Sequence, residues 1–277
     1  MRRPSRGCDA SLPHRLNEVI EIREFGFPPP ESREASVSGP VSKWSVAEET
    51  PVSFVFNGRN YAVMMATPAD LADFAVGFTH SERVVSQLGE IHAIEIHYGE
   101  IGIDLRLELS RRAIERLDAR TARRNLVGRA GCGVCGVDGA DVFFEKLPEV
   151  APSPLRIAAP AILKAVGELP LRQPLNALTK SVHAAAWAEL DGSIRLVRED
   201  VGRHNALDKL LGACLRRMTA IDDGFVVVSS RCSYEIVEKA ARCGVRAVVS
   251  ISAPTAFAIR KAEEAKIALY ALAGEGV

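Results

Sequence analysis

Nowhere does this sequence hold an uninterrupted apolar run near the roughly 20 residues that a membrane helix needs, so a spanning role is not expected. It has no excess charge of either sign: 35 Lys and Arg stand against 35 Asp and Glu. Composition therefore gives no reason to expect nucleic acid or an anionic membrane surface as a partner. Cysteine is sparse, six in 277 residues, too few for a disulfide framework in a chain of this length. The basic start, Met1-Arg2-Arg3-Pro4-Ser5-Arg6, leads into no apolar segment of the kind a secretion signal carries. Reduced thiols in the cytoplasm are the expectation. Hydrophobic content of 47% and charged content of 25% match a soluble globular protein, one large domain or two ordinary ones.

Two of the six cysteines stand together in Gly131-Cys132-Gly133-Val134-Cys135-Gly136. Thiols at C-x-x-C spacing bind a metal, form a disulfide or carry a sulfur atom between them. A thioredoxin-type pair opens a helix directly after a strand, where the helix N-terminus lowers the thiol pKa. Here glycines before, between and after the cysteines argue instead for a loop, because glycine costs entropy that regular structure avoids.

Residues 1–40 have little apolar periodicity and much punctuation (Pro28-Pro29-Pro30, Gly39-Pro40), which reads as a flexible extension holding Cys8. Residues 41–150 then form an N-terminal lobe that ends in the cysteine loop. Val52–Phe56 and Tyr61–Met65 flank Asn57-Gly58, a hairpin signal. Thr67-Pro68-Ala69-Asp70 reads as a capped helix start, and Leu71, Phe74, Ala75 and Phe78 give that helix one core face. His80 near its end reads as a cap or surface residue. Strict alternation over 101–109 is a half-buried strand. From Arg111 to Arg124 the chain reads as a basic helix, either a solvated face or a positive rim beside the cysteine loop.

Residues 151–277 form a second, α/β lobe. A helix is expected near Ala161–Leu169, and Asp191-Gly192 marks another hairpin. Leu207, Leu210, Leu211, Cys214, Leu215 and Met218 form one helical face, so Cys214 packs as a small hydrophobe. Strands at Phe225–Val228, Val245–Ile251 and Ile267–Leu272 alternate with helices at Tyr234–Cys243 and Pro254–Ala265. That alternation implies parallel strands, with ligands outside their carboxyl ends. Two such ends carry small polar residues before a helix, Ser229-Ser230-Arg231-Cys232-Ser233 and Ser252-Ala253-Pro254-Thr255. Free N–H groups and the helix dipole make both phosphate cradles, or the serines and threonine are ordinary helix caps. Asp200, Arg203, His204, Asn205 and Lys209 add a third cluster, too dense for capping alone, read as ligand contacts or else as an exposed salt-bridged turn.

These residues carry a resemblance. The Gly-Cys-Gly-Val-Cys-Gly stretch, His183-Ala184-Ala185, the block from Arg198 to Lys209, Ser230-Arg231 with Ser233-Tyr234-Glu235, and Ser252-Ala253-Pro254-Thr255 resemble the motif series of the FdhD family. Thr67-Pro68-Ala69-Asp70-Leu71 is similar to it too, and the likeness runs from about residue 45 to 270. The resemblance implies an α/β fold, a cytidine-deaminase-like three-layer sheet with a smaller N-terminal α+β lobe, residues 41–277 forming one module. It implies a cytoplasmic homodimer that takes persulfide sulfur from a cysteine desulfurase for the benefit of formate dehydrogenase. The sulfur's destination would be the bis-molybdopterin guanine dinucleotide cofactor of molybdenum, bound as cargo, which a guanine nucleotide would mimic. Cys132 and Cys135 match the family's sulfur carriers. His183, Asp200, Arg203, His204, Asn205, Lys209, Ser229, Ser230, Arg231, Ser252, Ala253 and Thr255 are the residues expected at the cofactor. Two stretches depart from the family pattern. Thr179-Lys180-Ser181-Val182 precedes His183 where the family has Thr-Gly-Gly, and the C-terminal Phe-to-Arg motif is missing.

Two other classes compete. A zinc deaminase places His-x-Glu ahead of its cysteine pair, whereas here His183 follows the pair and Ala185 stands where the glutamate would be. A structural zinc would need two more ligands from Cys232, Cys243, His183 or His204, so no permanent metal is expected. A cofactor-binding chaperone without sulfur chemistry would leave the cysteines dispensable.

Overall fold

Chain order sets the architecture. Strands β1 (Glu21–Phe25), β2 (Ser32–Ala35), β3 (Trp44–Ala47), β4 (Thr50–Phe56) and β5 (Arg59–Ala66) precede helix α1 (Leu71–Ser81). Then come β6 (Ile91–Tyr98), β7 (Ile103–Leu109) and α2 (Arg111–Thr121). The second half holds α3 (Ala159–Glu168), α4 (Pro174–Thr179), β8 (His183–Glu189), β9 (Ile194–Asp200) and α5 (Arg203–Arg216). It closes with β10 (Gly224–Arg231), α6 (Tyr234–Arg242), β11 (Ala247–Ser252), α7 (Ala256–Ala265) and β12 (Ala268–Ala271). The computed structural model describes residues 20–35, 44–121, 145–152, 154–217 and 221–272. Cys8, Cys132, Cys135, Arg123, Arg124, Arg129 and Met218 lie outside them.

The first sheet runs β1-β6-β7-β4-β5. In β7 the residues Ile103, Leu105, Leu107 and Leu109 are buried while Arg106 and Glu108 are exposed, as the alternation requires of a sheet with one covered face. Phe74 and Phe78 of α1 and Ala113 and Leu117 of α2 pack on that face. At the β4–β5 turn Asn57 (φ 46°) and Gly58 (φ 78°) both adopt the left-handed conformation that Asn-Gly tolerates. The reading of a loose extension through residue 40 fails for 20–35. β1 adds in parallel to β6 at the edge of this sheet, and β2 forms a ribbon with β3.

The second sheet runs β12-β11-β10-β8-β9. β10, β11 and β12 are parallel, and β8 is antiparallel to both of its neighbours. The alternation of strand and helix thus gives the expected parallel run, extended by the β8–β9 hairpin. That hairpin turns through Gly192 alone (φ 85°), closed by Glu189 N–H to Ser193 O (3.0 Å read from nitrogen to oxygen), rather than through a pair of left-handed residues. Helices cover both faces. Ala185, Trp187, Val226 and Val248 face α5, α6 and α7, whereas Ala186, Phe225, Val227 and Val249 face α3. Cys214 is fully buried on the α5 face, as its periodicity implies. These are the three layers of a mixed α/β domain.

Helix α1 joins the two halves by lying against α5. The contact is close because glycines meet there: a Cβ on Gly77 would fall 1.8 Å from Asp208 O, and one on Gly212 1.9 Å from Asp73 O. Both obstacles are backbone, which cannot swing away. Gly212→Ala is therefore expected to force the helices apart and lower stability by about 1–3 kcal/mol, the usual cost of overpacking. Thermal unfolding of the purified variant checks this, and an unchanged melting temperature would refute the close crossing.

Charged side chains bridge the same seam. Arg198 Nη2 donates to Asp73 Oδ2 (2.6 Å), Arg216 Nη1 to Asp73 Oδ1 (2.5 Å), and Lys239 Nζ to Ser81 Oγ (3.0 Å) and Glu82 Oε1 (3.2 Å). On α2, Arg116 reaches the buried Glu90 (2.5 Å) and holds its carboxyl down at about 2 against the opposing effect of burial. Of the basic helix, then, Arg116 serves the fold, whereas Arg111 pairs with Glu115 on the exposed face. His80 is no surface residue: its Nδ1 lies 3.4 Å from the buried Cys243 Sγ.

Candidate functional site

The sheet register gathers most of the expected site residues at one edge. His183 opens β8 opposite Asp200, which closes β9. Arg231 at the end of β10 stands opposite Ser252 at the end of β11. Crosslinks knit these ends: Ser229 Oγ accepts from Ala184 N–H (2.8 Å), and Cys232 O accepts from Thr255 N–H (3.0 Å). From this same edge α5, α6 and α7 begin, with Gly202, Ser233 and Thr255 as N-caps. Three positive helix ends thus lie beside the carboxyl ends of parallel strands.

Not every residue of the expected set faces that edge. Asp200 and Lys209 are fully buried and pair at 2.7 Å. Asp200 also accepts from the backbone N–H groups of Thr67 (3.0 Å) and Gly202 (2.7 Å) and from Asn205 Nδ2 (2.9 Å). Asn205 and Lys209 then donate to Met65 O and Thr67 O, both at 2.8 Å. These three residues satisfy one another and tie the β5–α1 connection to the start of α5. The cluster is neither an exposed salt-bridged turn nor, for these members, a set of free ligand donors. Thr67 shares in it, its Oγ1 accepting from Val201 N–H (3.2 Å). It does not cap α1, which starts after Asp70 in the left-handed region (φ 54°) with no side-chain cap.

Hydroxyls at the strand ends divide similarly. Thr255 Oγ1 caps α7 by accepting from Ala258 N–H (3.2 Å), and Ser230 Oγ donates to Arg231 O (3.0 Å). Ser252, the last residue of β11, and Ala253 just after it are exposed.

What remains points to an anion. Among the described residues Arg203 Nε, His204 Nε2 and Ser233 Oγ are buried and have no hydrogen-bond partner. Buried polar atoms are almost always satisfied, so three orphans at the starts of α5 and α6 are an unmet demand. Arg231 is exposed beside them and makes no ion pair among the described residues. Burial, reinforced by the Arg203 charge, holds the His204 imidazole down at about 4, against the carboxylates of Glu235 and Glu82. His183 is lowered by burial and by Arg203, with Asp200 opposing. The Arg203 charge thus disfavours the protonated form of both histidines. Phosphate fits this donor set, since a guanidinium fork and helix N–H groups both match its oxygens. Ser233 belongs to the expected strand-end cradle, whereas Glu235, whose carboxylate lies 3.8 Å from His204 Nε2, was not among the residues expected at the cofactor. Glu235 follows Ser233 by two residues, in the first turn of α6.

The thiols separate cleanly. Cys214, Cys232 and Cys243 are buried, and burial pushes each thiol up to about 12. At neutral pH only about one in 10⁵ of each would be thiolate, the form that attacks sulfur. Among the described residues no three His, Cys, Asp or Glu side chains converge as a metal site. No helix among them is long and apolar enough to cross a membrane.

Fold and edge together define a mixed α/β protein with its polar edge at the carboxyl ends of parallel strands. Comparison narrows this to a family. The FdhD/NarQ family model matches residues 47–276, and the chain belongs to that family. The sulfur carrier protein FdhD of Xanthomonas euvesicatoria pv. vesicatoria is 47% identical over 228 residues, covering 82% of this chain and 80% of that protein. The protein of the same name from Cupriavidus necator is 48% identical over 224 residues, 81% of this chain and 77% of that one. A crystal structure of a candidate formate dehydrogenase accessory protein from Desulfotalea psychrophila is similar with a TM-score of 0.66 at 24% identity. It covers 88% of this chain and 94% of that one, and the likeness bears on the fold alone.

Proposed function

We propose that this chain is a sulfur carrier serving formate dehydrogenase, loading persulfide sulfur on Cys132, with Cys135 assisting, and delivering it to the molybdenum cofactor. The cofactor's dinucleotide phosphates would rest on the strand edge, held by Arg203, His204, Ser233 and Arg231. One observation carries the binding half of this reading: the unpartnered buried Arg203 Nε, His204 Nε2 and Ser233 Oγ at adjoining helix N-termini. The sulfur half is supported by relatives named sulfur carrier protein and by the inertness of the three buried thiols.

Loading follows thiol exchange chemistry. The Cys132 thiolate attacks the outer sulfur of the desulfurase persulfide. A new S–S bond forms on Cys132, the donor's S–S bond breaks, and the donor cysteine leaves as thiolate. For delivery, the Cys135 thiolate attacks Cys132 Sγ, closing a Cys132–Cys135 disulfide and releasing the outer sulfur at the sulfide level. A dithiol reductant then reopens the disulfide.

Intact mass spectrometry tests the loading step. After incubation with a cysteine desulfurase and cysteine, the protein is expected to gain one sulfur atom, and an unchanged mass would refute it. Nucleotide binding tests the edge separately. Charge-assisted bonds to phosphate contribute roughly 1.5–3 kcal/mol each. Arg231→Ala and Arg203→Ala are therefore each expected to weaken guanosine diphosphate binding by about tenfold to a hundredfold in calorimetry. If neither change alters the affinity, the strand-end residues are only helix caps.

A further inference from the structure

His204 lies at the first turn of α5, more than nine-tenths buried, with Nε2 unpartnered among the described residues. Charges face it from every side: Arg203 on its own helix, Glu235 and Lys239 from α6, and Glu82 just after α1. Glu235 is the nearest acid, its carboxylate 3.8 Å from Nε2 and too far to accept a hydrogen bond. Lys239 is occupied by Asp208 and Glu82. The ring therefore feels two cations and has no bonded acceptor at Nε2 among the described residues.

We propose that His204 couples ligand binding at this edge to proton uptake: a phosphate anion seated at the starts of α5 and α6 binds together with one proton, which His204 Nε2 takes and donates to a phosphate oxygen. This inference rests on the anionic-ligand reading above and adds a regulation to it. In the empty site, burial and the Arg203 charge keep the imidazole neutral, as its low value of about 4 records. A neutral ring protonated at Nδ1 turns an Nε2 lone pair toward the phosphate oxygens and repels them, and one protonated at Nε2 donates more weakly than imidazolium. A bound anion offsets Arg203 and supplies the missing acceptor, so both causes of the low value weaken together. The sign follows directly. The liganded state holds a proton that the free state lacks, so affinity rises as pH falls.

The test uses the full chain and diguanosine 5′,5′-pyrophosphate, a probe whose phosphates carry no titrating proton near neutrality. Calorimetry in two buffers of different ionisation enthalpy counts the protons taken up. Near about pH 5.5 the wild-type protein is expected to take up close to one, and affinity to fall about tenfold from pH 5 to pH 6 before levelling above about pH 7. His204→Gln, which keeps a donor but cannot titrate, is expected to bind with no proton uptake and no pH slope. Nitrogen NMR of the wild-type ring reads the same event without a substitution: His204 should pass from neutral to imidazolium when the probe is added at about pH 5.5. Equal binding enthalpies in the two buffers would overturn the proposal. So would a slope that survives in His204→Gln and vanishes in His183→Gln, since His183, beside Arg203 and Asp200, would then be the titrating group. Absence of binding at every pH would overturn the phosphate edge itself, a result distinct from binding without proton uptake.

Discussion

Replacing Cys132 with alanine is expected to abolish activation of formate dehydrogenase while leaving guanosine diphosphate binding unchanged. The expectation comes from counting thiols. Six cysteines are present, and three of them (Cys214, Cys232 and Cys243) are buried with thiols held near 12. Those three supply almost no thiolate at neutral pH. Cys8 falls outside the family match at 47–276, which leaves Cys132 and Cys135. Peptide mass mapping of the sulfur-loaded protein should therefore find the added atom within the Cys132–Cys135 stretch. Cys8→Ala should load fully, and the double change Cys132→Ala, Cys135→Ala should not load at all. Full activation of the dehydrogenase by that double variant would end the sulfur-carrier reading. It would favour instead a chaperone that needs only the strand edge.

The second large effect is on stability. Lys209→Met is expected to cost about 3–5 kcal/mol, because it leaves Asp200 charged, buried and without its ion-pair partner. Both side chains are fully buried, and the network they anchor spans from Met65 and Thr67 to Asn205. Adding Asp200→Asn to Lys209→Met should recover part of the loss, since the stranded charge is then gone. It should not recover all of it, because Thr67 N–H loses a carboxylate acceptor. Urea unfolding of the three variants measures this, and a cost below about 1 kcal/mol for Lys209→Met would show that the pair carries little of the fold. Guanosine diphosphate binding by whatever fraction stays folded should be near normal, in contrast with Arg231→Ala. That contrast separates the residues that hold the edge in place from those that face a ligand.

Much of the fold was legible in the chain because local physics set it. Strict alternation over 101–109 could serve only a sheet with one covered face, and β7 is such a strand from Ile103 on, with Ile101 exposed before it. Asn57-Gly58 turned a hairpin because both positions accept positive φ. The strand–helix alternation after residue 224 gave parallel strands whose polar ends share an edge, placing Arg231 opposite Ser252. The errors fell where a local signal had a tertiary partner. Thr67 and Asp70 looked like a helix cap, yet Thr67 is bound by Val201 and Asp200, and Asp70 lies 3.2 Å from Arg198. Glu21–Phe25 carried too little apolar pattern to read as a strand, since a parallel edge strand draws its order from its neighbour β6.

The sequence by itself determined the periodic elements, the cysteine pair and the set of polar residues at the strand ends, because each depends on residues close together in the chain. Only the tertiary structure decided which of those polar residues are free. Within the block from Arg198 to Lys209, acids, bases and amides look equally fit to bind a ligand. The close crossing of α1 and α5, permitted by Gly77 and Gly212, brings Thr67 within reach of Asp200 and Lys209 and satisfies them. Arg203 and His204 begin α5 at the sheet edge, where Arg203 Nε and His204 Nε2 find no partner among the described residues. A buried polar atom must be satisfied from somewhere, and its partner can lie a hundred residues away in sequence, so no local pattern could distinguish the two groups.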